Sequence, residues 1–237
     1  MDDMKNAVIE LDKVVFGWPE GQPVLDIPVL NIAAAERVFV KGPSGSGKST
    51  LLNLIAGIHT PLQGRVCVLG QALHSQGSAW RDNFRADHIG LIFQQFNLLP
   101  YLSVLENVML PCRFSVARNA RATERYGSLE NAATQLLEHL GIPRDSLHRR
   151  GVTRLSIGQQ QRVAAARALI GSPELVIADE PTSALDSDSR NAFLELLIRE
   201  CDLSESTLVF VSHDSSLETH FSQVISLRDL NHAKELV

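Results

Sequence analysis

The sequence has little of what marks several common protein classes. Its three cysteines, Cys67, Cys112 and Cys201, are widely spaced and form no C-x-x-C pair. We therefore expect neither a zinc site nor a disulfide framework, and we expect a reducing compartment. No stretch approaches 18 consecutive apolar residues, so no segment is expected to span a membrane. The first four residues, which include Asp2 and Asp3, lead into no apolar segment, and we expect no secretory signal.

An excess of basic residues is also missing. The chain has 22 Lys and Arg against 27 Asp and Glu, which gives a formal net charge of −5. This balance argues against a protein whose whole surface grips nucleic acid. With 237 residues, 44% of them hydrophobic, the chain is long enough to bury a large core and is not expected to be disordered.

One short stretch fits the phosphate-binding pattern G-x-x-x-x-G-K-[S/T] without a mismatch. Glycines let the backbone wrap an anion, the lysine places a charge against the β and γ phosphates, and the hydroxyl after it binds Mg²⁺. A predicted strand at 37–41 precedes the stretch and a predicted helix at 49–56 follows it. We therefore predict that the chain binds a nucleoside triphosphate through the residues Gly42, Pro43, Ser44, Gly45, Ser46, Gly47, Lys48, Ser49 and Thr50.

Strands alternate with helices outside the middle of the chain, which favours a largely parallel sheet covered on both faces. Further strands are predicted at 8–11, 14–16, 24–32, 65–69, 88–93, 175–178, 208–211 and 224–227. Further helices are predicted from residue 104 and at 129–140, 159–170 and 191–200. Residues 71–85 are predicted to be mostly irregular, and the basic stretch that holds Arg113, Arg118, Arg121 and Arg125 is predicted to be a solvated connector.

Two adjacent carboxylates, Asp179 and Glu180, end the apolar strand predicted at 175–178. Acidic residues at the end of a core strand are ordinarily no more than solvent-facing groups. Beside a phosphate loop, however, Asp179 is expected to hold Mg²⁺ with Ser49, and Glu180 to take a proton from an attacking water. Further back, Ser156 and Gln159 form the pattern S-x-x-Q, which predicts a capping box at the start of a helix.

These motifs together resemble the ATP-binding subunits of ABC transporters over essentially the whole chain. The stretch from Leu155 to Gln159 is similar to the family pattern L-S-G-G-Q. The resemblance implies a phosphate-loop NTPase core, 1–93 and 155–237, with a mostly parallel sheet, a small antiparallel β subdomain on the N-terminal side and an inserted α-helical subdomain, 94–154. It also implies a single ATP-hydrolysing domain that pairs head to tail with a second copy, so that Ser156, Gly158 and Gln159 face the partner's γ-phosphate.

The resemblance assigns roles to four further positions. Gln94 matches the glutamine that links Mg²⁺ and water to the helical subdomain, and His213 matches the histidine that contacts the γ-phosphate. Asp186 ends the loop that crosses to the partner domain. Trp18 falls where the family places an aromatic ring under adenine; read from the residues alone, packing is its commoner role. Ile157 departs from the family pattern, because it replaces the first glycine.

Within the family, residues 93–100 and 105–108 resemble the lipoprotein-releasing, macrolide-exporting and cell-division ATPases of bacteria. That resemblance implies ATP and Mg²⁺ as cofactors, a transmembrane permease as partner and a place at the cytoplasmic face of the inner membrane. Two alternatives come from other classes of protein. An ABC-type ATPase that acts on DNA or the ribosome is disfavoured by the acidic balance. A nucleotide-binding regulator that does not hydrolyse is disfavoured because Lys48, Asp179 and Glu180 are all present.

Overall fold

The computed structural model describes residues 7–19, 21–144 and 151–233 of the chain. They form two compact units, one with residues up to 85 and from 209 onward, the other with residues 86–208. In chain order the elements are β1 Ala7–Gly17, β2 Pro23–Ala33, β3 Arg37–Lys41, α1 Lys48–Ile55, β4 Gln63–Val68, β5 Gln71–Ala72, α2 Ser78–His88, β6 Ile89–Ile92, α3 Val104–Met109, α4 Pro111–Phe114, α5 Val116–Tyr126, α6 Leu129–His139, α7 Ile157–Leu169, β7 Leu175–Asp179, α8 Ser187–Leu203, β8 Thr207–Val211, β9 Gln223–Ser226 and α9 Leu227–Leu230.

The first unit contains an antiparallel sheet in the order β2-β1-β4-β5 and the strands β8-β3-β9 of a second sheet. In the antiparallel sheet, alternate residues of β1 are buried; Leu11, for example, pairs with Leu30 of β2 and with Val66 of β4. Strand β3 is an apolar run buried along its centre, and it pairs in parallel with β9. A strand buried on both faces reads as a continuous apolar run, which explains why β3 and the phosphate loop after it were predictable.

In the second unit, β6 and β7 pair in parallel and β8 begins beside the start of β7. Helix α7 packs closely on β6. A Cβ atom added at Gly90 would lie 2.3 Å from the carbonyl oxygen of Ala168, so that position has no room for a side chain. The helices α3 to α6 precede α7, and α6 buries its periodic apolar face as the sequence predicts. The predicted α/β class with a parallel and an antiparallel sheet is confirmed.

One strand replaces the two short strands predicted at the start of the chain. Strand β1 runs through all of Ala7–Gly17. Lys13 has a left-handed backbone, with φ of 52°, and the pairing with β4 shifts register between Asp12 and Val15. A bulge of this kind interrupts the alternation of apolar residues without ending the ladder, so the pattern in the sequence breaks where the strand does not.

The prediction of an irregular segment at 71–85 is wrong, because α2 occupies Ser78–His88. The helix buries only Phe84, so its apolar period is too weak to read from the sequence. Its arginines explain why it forms. Arg81 donates its Nε–H to the carbonyl oxygen of Gly57 at 2.9 Å, and Arg85 donates from Nη1 to that of Ala56 at 3.0 Å. Both carbonyls lie at the end of α1, where a helix has unpaired acceptors.

The predicted solvated connector is also wrong. Its arginines lie on α4 and α5, and Arg118 is only 2% exposed. Arg121 donates its Nε–H to the carbonyl oxygen of Gly171 at 2.7 Å and from Nη2 to that of Asp87 at 2.7 Å. These two arginines are therefore structural groups of the second unit.

Candidate functional site

The phosphate loop of the first unit has the backbone that an anion cradle needs. Gly45 and Gly47 have φ of 81° and 94°, a region that side chains rarely enter. A Cβ atom added at Gly47 would lie 2.8 Å from Cδ2 of Leu25, whereas one added at Gly45 would meet no described atom within 4 Å. The loop is therefore packed tightly on the side of Leu25 and open at Gly45.

Helix α1 begins at this loop. Its N-cap is Gly47, which has no side chain that could cap the helix, whereas α3, α5, α6, α7 and α8 are each capped by a Ser or Asp side chain. Lys48 is 7% exposed, and its Nζ donates to the carbonyl oxygens of Gly42 and Pro43, each at 2.9 Å. The helix dipole and a lysine held at the loop together fit a phosphate chain.

Trp18 and His213 also belong to the first unit. Trp18 is 52% exposed in the turn after β1, and His213 is exposed two residues after β8. The segment after His213 is tied to the strand before the phosphate loop, because Lys41 donates from Nζ to both carboxylate oxygens of Glu218 at 3.1 Å. The hydroxyl of Ser215 and the ammonium of Lys41 lower the pKa of Glu218.

In the second unit, Gln94, Asp179 and Glu180 lie at the same ends of two neighbouring strands, β6 and β7. Ile92 pairs with Ala178, so the residues after β6 and β7 leave one edge of the sheet together. Glu180 is half-buried and has φ of 44°, which is strained for a residue with a side chain. Strain of this kind is concentrated at functional sites, and the carboxyl edge of a parallel sheet is where ligands bind.

Arg167 of α7 holds the segment that follows Gln94, a contact that sequence reasoning missed. Its guanidinium, 9% exposed, donates from Nη1 to the carbonyl oxygen of Asn97 at 2.6 Å and from Nη2 to that of Phe96. Phe96 and Asn97 have φ of 58° and 50°, so the arginine stabilises two consecutive strained residues. Burial lowers the pKa of Arg167. An arginine on the otherwise apolar face of α7 was the available signal.

The predicted capping box at the start of α7 is present. The Oγ of Ser156 accepts from the N–H of Gln159 at 3.3 Å, and the Oε1 of Gln159 accepts from the N–H of Ser156 at 3.1 Å. The side chain of Ile157 is 53% exposed. Gly158 is loosely packed, because an added Cβ atom would lie 3.7 Å from Cδ2 of Leu185, an ordinary contact distance.

A cavity of about 390 Å³ brings four predicted site residues of the second unit together: Ser156, Gly158, Gln159 and Asp186 line it. Asp186 is the N-cap of α8, and its Oδ1 accepts from the N–H of Ser189 at 2.9 Å. This hydrogen bond lowers the pKa of Asp186. Asp186 therefore caps α8, in addition to the contact with a partner domain that is predicted for its loop.

The donor set fits a magnesium ion that is held mainly by a nucleotide. Within residues 7–19, 21–144 and 151–233, no group of three His, Cys, Asp or Glu side chains could hold a metal ion. Mg²⁺ is ordinarily bound by one or two protein groups together with phosphates and water, not by an all-protein cage. Ser49 and Asp179 each carry an oxygen atom of the kind that Mg²⁺ prefers, and their role as its ligands stays a prediction.

The parallel sheet, the glycine loop and the helix that begins at this loop are typical of a nucleoside-triphosphate-binding α/β protein. The sequence profile of the ABC transporter family matches residues 25–183. The chain belongs to this family, and it is an ABC-type ATPase that binds and hydrolyses ATP. The predictions of family, fold and ATPase activity are thus confirmed; the roles of individual site residues stay predictions.

Several curated proteins are similar over nearly the whole chain. It is 38% identical over 227 residues to an uncharacterized ABC transporter ATP-binding protein of Mycobacterium tuberculosis, with 94% of this chain and 88% of that protein covered. It is 38% identical to a lipoprotein-releasing system ATP-binding protein of Syntrophotalea carbinolica, with 94% and 96% covered. It is also 38% identical to a macrolide export ATP-binding/permease protein of Chromobacterium violaceum, of which it spans only 34%.

A solved structure supports the same fold. The dimeric, post-hydrolysis structure of an ATP-binding cassette bound to ADP and Pi matches with a TM-score of 0.80 and 33% identity, covering 97% of this chain and 99% of that one. In the part of the chain that the structure describes, no helix is both long and apolar enough to cross a membrane.

Proposed function

We propose that this chain is the ATPase subunit of a bacterial membrane complex, that it pairs with a second copy when it binds ATP, and that it energises a separate transmembrane permease. The observation that carries the proposal is the glycine loop, in which Gly45 and Gly47 have left-handed backbones and Lys48 is held by the carbonyl oxygens of Gly42 and Pro43. The macrolide export relative is an ATP-binding/permease protein, which supports a permease as the partner. Through that partner the chain would act at the cytoplasmic face of the inner membrane.

Each site residue has a proposed role in hydrolysis. The amides of residues 42–50 and the ammonium of Lys48 hold the phosphates. Ser49, Asp179 and Gln94 would hold Mg²⁺, which would supply positive charge that neutralises the phosphate oxygens. Glu180 takes the proton from the attacking water, and His213 contacts the γ-phosphate. The strained backbone of Glu180 supports its assignment as the base, because strain persists where a side chain must be aimed.

The second copy of the chain is proposed to complete the site. Ser156, Gly158 and Gln159 surround the start of α7, an end at which helix N–H groups attract an anion. Asp186 lines the same cavity, which supports a common interface for these four residues. The dimeric assembly of the solved cassette supports the pairing.

We further propose that residues 94–154 act as a helical subdomain inserted into a core of residues 1–93 and 155–237. Helices α3 to α6 lie within this insert. Its first segment, after Gln94, is the part proposed to contact the permease. Asn107, which is fully buried, holds that segment from inside: its Oδ1 accepts from the N–H of Leu99 at 2.8 Å and its Nδ2 donates to the carbonyl oxygen of Leu99 at 3.0 Å.

The substitution Glu180→Gln tests the proposal. The variant should bind ATP but not turn it over, because the water loses its base while the phosphate cradle survives. With MgATP it should accumulate as a dimer in size-exclusion chromatography. Lys48→Ala should instead fail at binding, with affinity for ATP reduced by about 10- to 100-fold, since a buried charge that faces phosphate is lost.

Glu195→Gln is the matched control, because Glu195 is exposed on α8 and should behave as wild type. A Glu180→Gln variant that hydrolyses ATP near the wild-type rate would exclude Glu180 as the base. A variant that is inactive but stays monomeric with MgATP would contradict the proposed pairing.

A further inference from the structure

Three aromatic rings meet at the end of β1, in the first unit. The rings of Phe16 and His59 are stacked, with centroids 5.3 Å apart and an angle of 20° between their planes. The indole of Trp18 stands nearly perpendicular to both, 5.3 Å from Phe16 at 82° and 5.1 Å from His59 at 85°. Perpendicular and offset contacts are the favourable geometries for such rings.

The three rings run from the core to the surface. Phe16 is 6% exposed and lies opposite Leu25 in the sheet. His59 is half-buried, and Trp18 is 52% exposed. About half of the surface of Trp18 is therefore open, while its indole contacts the rings of Phe16 and His59.

The backbone fixes the two ends of this cluster. The N–H of His59 donates to the carbonyl oxygen of Asn53 at 3.2 Å, so His59 is attached to the last turn of α1. Trp18 lies in a tight turn that is closed by a hydrogen bond from the N–H of Gly21 to its carbonyl oxygen at 3.0 Å. The turn constrains the backbone of Trp18, and the contacts with Phe16 and His59 constrain its side chain.

We propose that the stacked pair of Phe16 and His59 is a positioning device that holds the indole of Trp18 in the orientation in which its open surface receives the base of ATP. His59 is a positioning residue in this scheme, because it acts on the base through Trp18. The proposal rests on the proposed binding of ATP and on the role that the family resemblance implies for Trp18, namely contact with the base.

The position of His59 after α1 links the support of Trp18 to the phosphate loop. Helix α1 begins at the phosphate loop and ends, eight residues and about 12 Å later, in the segment that carries His59. One rigid element thereby positions both the phosphate cradle and the support of the base platform. Removing His59 should therefore weaken recognition of the base and leave recognition of the phosphates unchanged.

The test uses the full chain in a Trp80→Phe background, so that Trp18 is the only tryptophan. Trp80 is a suitable residue to remove because it stacks separately on Phe84, at 5.2 Å and 13°. His59→Ala should raise the dissociation constant and the KM for ATP by roughly 3- to 10-fold, the range of one aromatic pair, with kcat unchanged. The affinity for inorganic tripolyphosphate, which has no base, should not change.

A conservative variant and a control complete the design. His59→Phe keeps an aromatic ring and should restore both the ATP affinity and the quenching of Trp18 fluorescence by ATP. His232→Ala removes an exposed histidine and should resemble the parent protein. Trp18→Ala, which removes the platform itself, should weaken ATP binding by roughly 5- to 100-fold.

Three outcomes would overturn the inference. If His59→Ala lowers the melting temperature but leaves the KM for ATP unchanged, the cluster is packing alone. If ATP and tripolyphosphate lose affinity equally, His59 acts on α1 and not on Trp18. If Trp18→Ala binds ATP as the parent does, the base contact is absent, while normal binding by the parent and its loss in Lys48→Ala would leave the phosphate-loop assignment standing.

Discussion

Arg118 donates its Nε–H to the carbonyl oxygen of Ile170 across 2.8 Å, a contact between residues 52 positions apart. Its Nη2 donates to the carbonyl oxygen of Ala168 at 2.5 Å and its Nη1 to that of Ile89 at 3.4 Å. Helix α5 thereby supplies the last turn of α7 with the hydrogen-bond donors that a helix end lacks. Burial lowers the pKa of Arg118 to about 10, so the guanidinium is still charged at neutral pH.

Replacing this arginine should destabilise the protein. Arg118→Met leaves the carbonyl groups of Ala168 and Ile170 buried and unpaired, and we expect the free energy of unfolding to fall by about 2–3 kcal/mol. Urea denaturation of the isolated subunit measures it. Arg113→Met changes an exposed arginine of the neighbouring helix and should cost less than about 0.5 kcal/mol. Equal effects of the two substitutions would mean that the buried hydrogen bonds contribute nothing to stability.

The exposed side chain of Ile157 should slow hydrolysis. In the proposed dimer it faces the phosphates bound by the partner, and a β-branched side chain restricts how closely the start of α7 approaches them. Ile157→Gly should raise basal ATPase activity about twofold, which corresponds to roughly 0.4 kcal/mol in the activation barrier. Steady-state phosphate release provides the measurement.

Ile157→Ala is the intermediate case, because it removes the branch and keeps the helix propensity high. Its rate should lie between those of wild type and Ile157→Gly. Unchanged or lower activity in both variants would indicate a site that is built around isoleucine.

Tyr101 should matter for assembly with the permease. The tyrosine is 78% exposed, while Leu98, Leu99 and Leu102 around it are half-buried, so of these four side chains it is the one that a partner can reach most easily. Tyr101→Asp should leave folding and ATP binding intact but abolish co-purification with the membrane subunit, because a charge would be buried in an apolar contact.

Val116→Asp is a control of equal exposure for this experiment. Val116 is 87% exposed at the start of α5, where an acidic residue suits the helix dipole. The control should co-purify normally. Loss of the partner in both variants would point to a general effect of added charge, and retention in both would place the docking surface away from Tyr101.

The predictions that held rest on local patterns. Helix α6 was predicted from apolar residues at helical spacing, and α7 from the capping box of Ser156 and Gln159; the structure contains both. The predictions that were wrong concern polar side chains that form hydrogen bonds with residues far away in the sequence. Arg118 lies in a basic stretch, which is typical of a solvated segment, but it donates to the carbonyl oxygen of Ile170. Helix α2 has a polar sequence that is typical of an irregular segment, but its Arg81 donates to the carbonyl oxygen of Gly57 after α1. A sequence shows that such a side chain is polar but not which carbonyl oxygens it will meet.

Phosphate binding by residues 42–50 could be predicted from the sequence alone, because the loop, its lysine and the following helix are contiguous and the glycines set the backbone conformation. The contacts that support this loop and the other predicted site residues could be seen only in the folded protein. Arg167 reaches Phe96 and Asn97 from 70 residues away, and His59 meets Trp18 because β1 pairs with β4. These contacts join segments that no short-range pattern links, since they depend on strand pairing and helix packing that arise only when the whole chain folds.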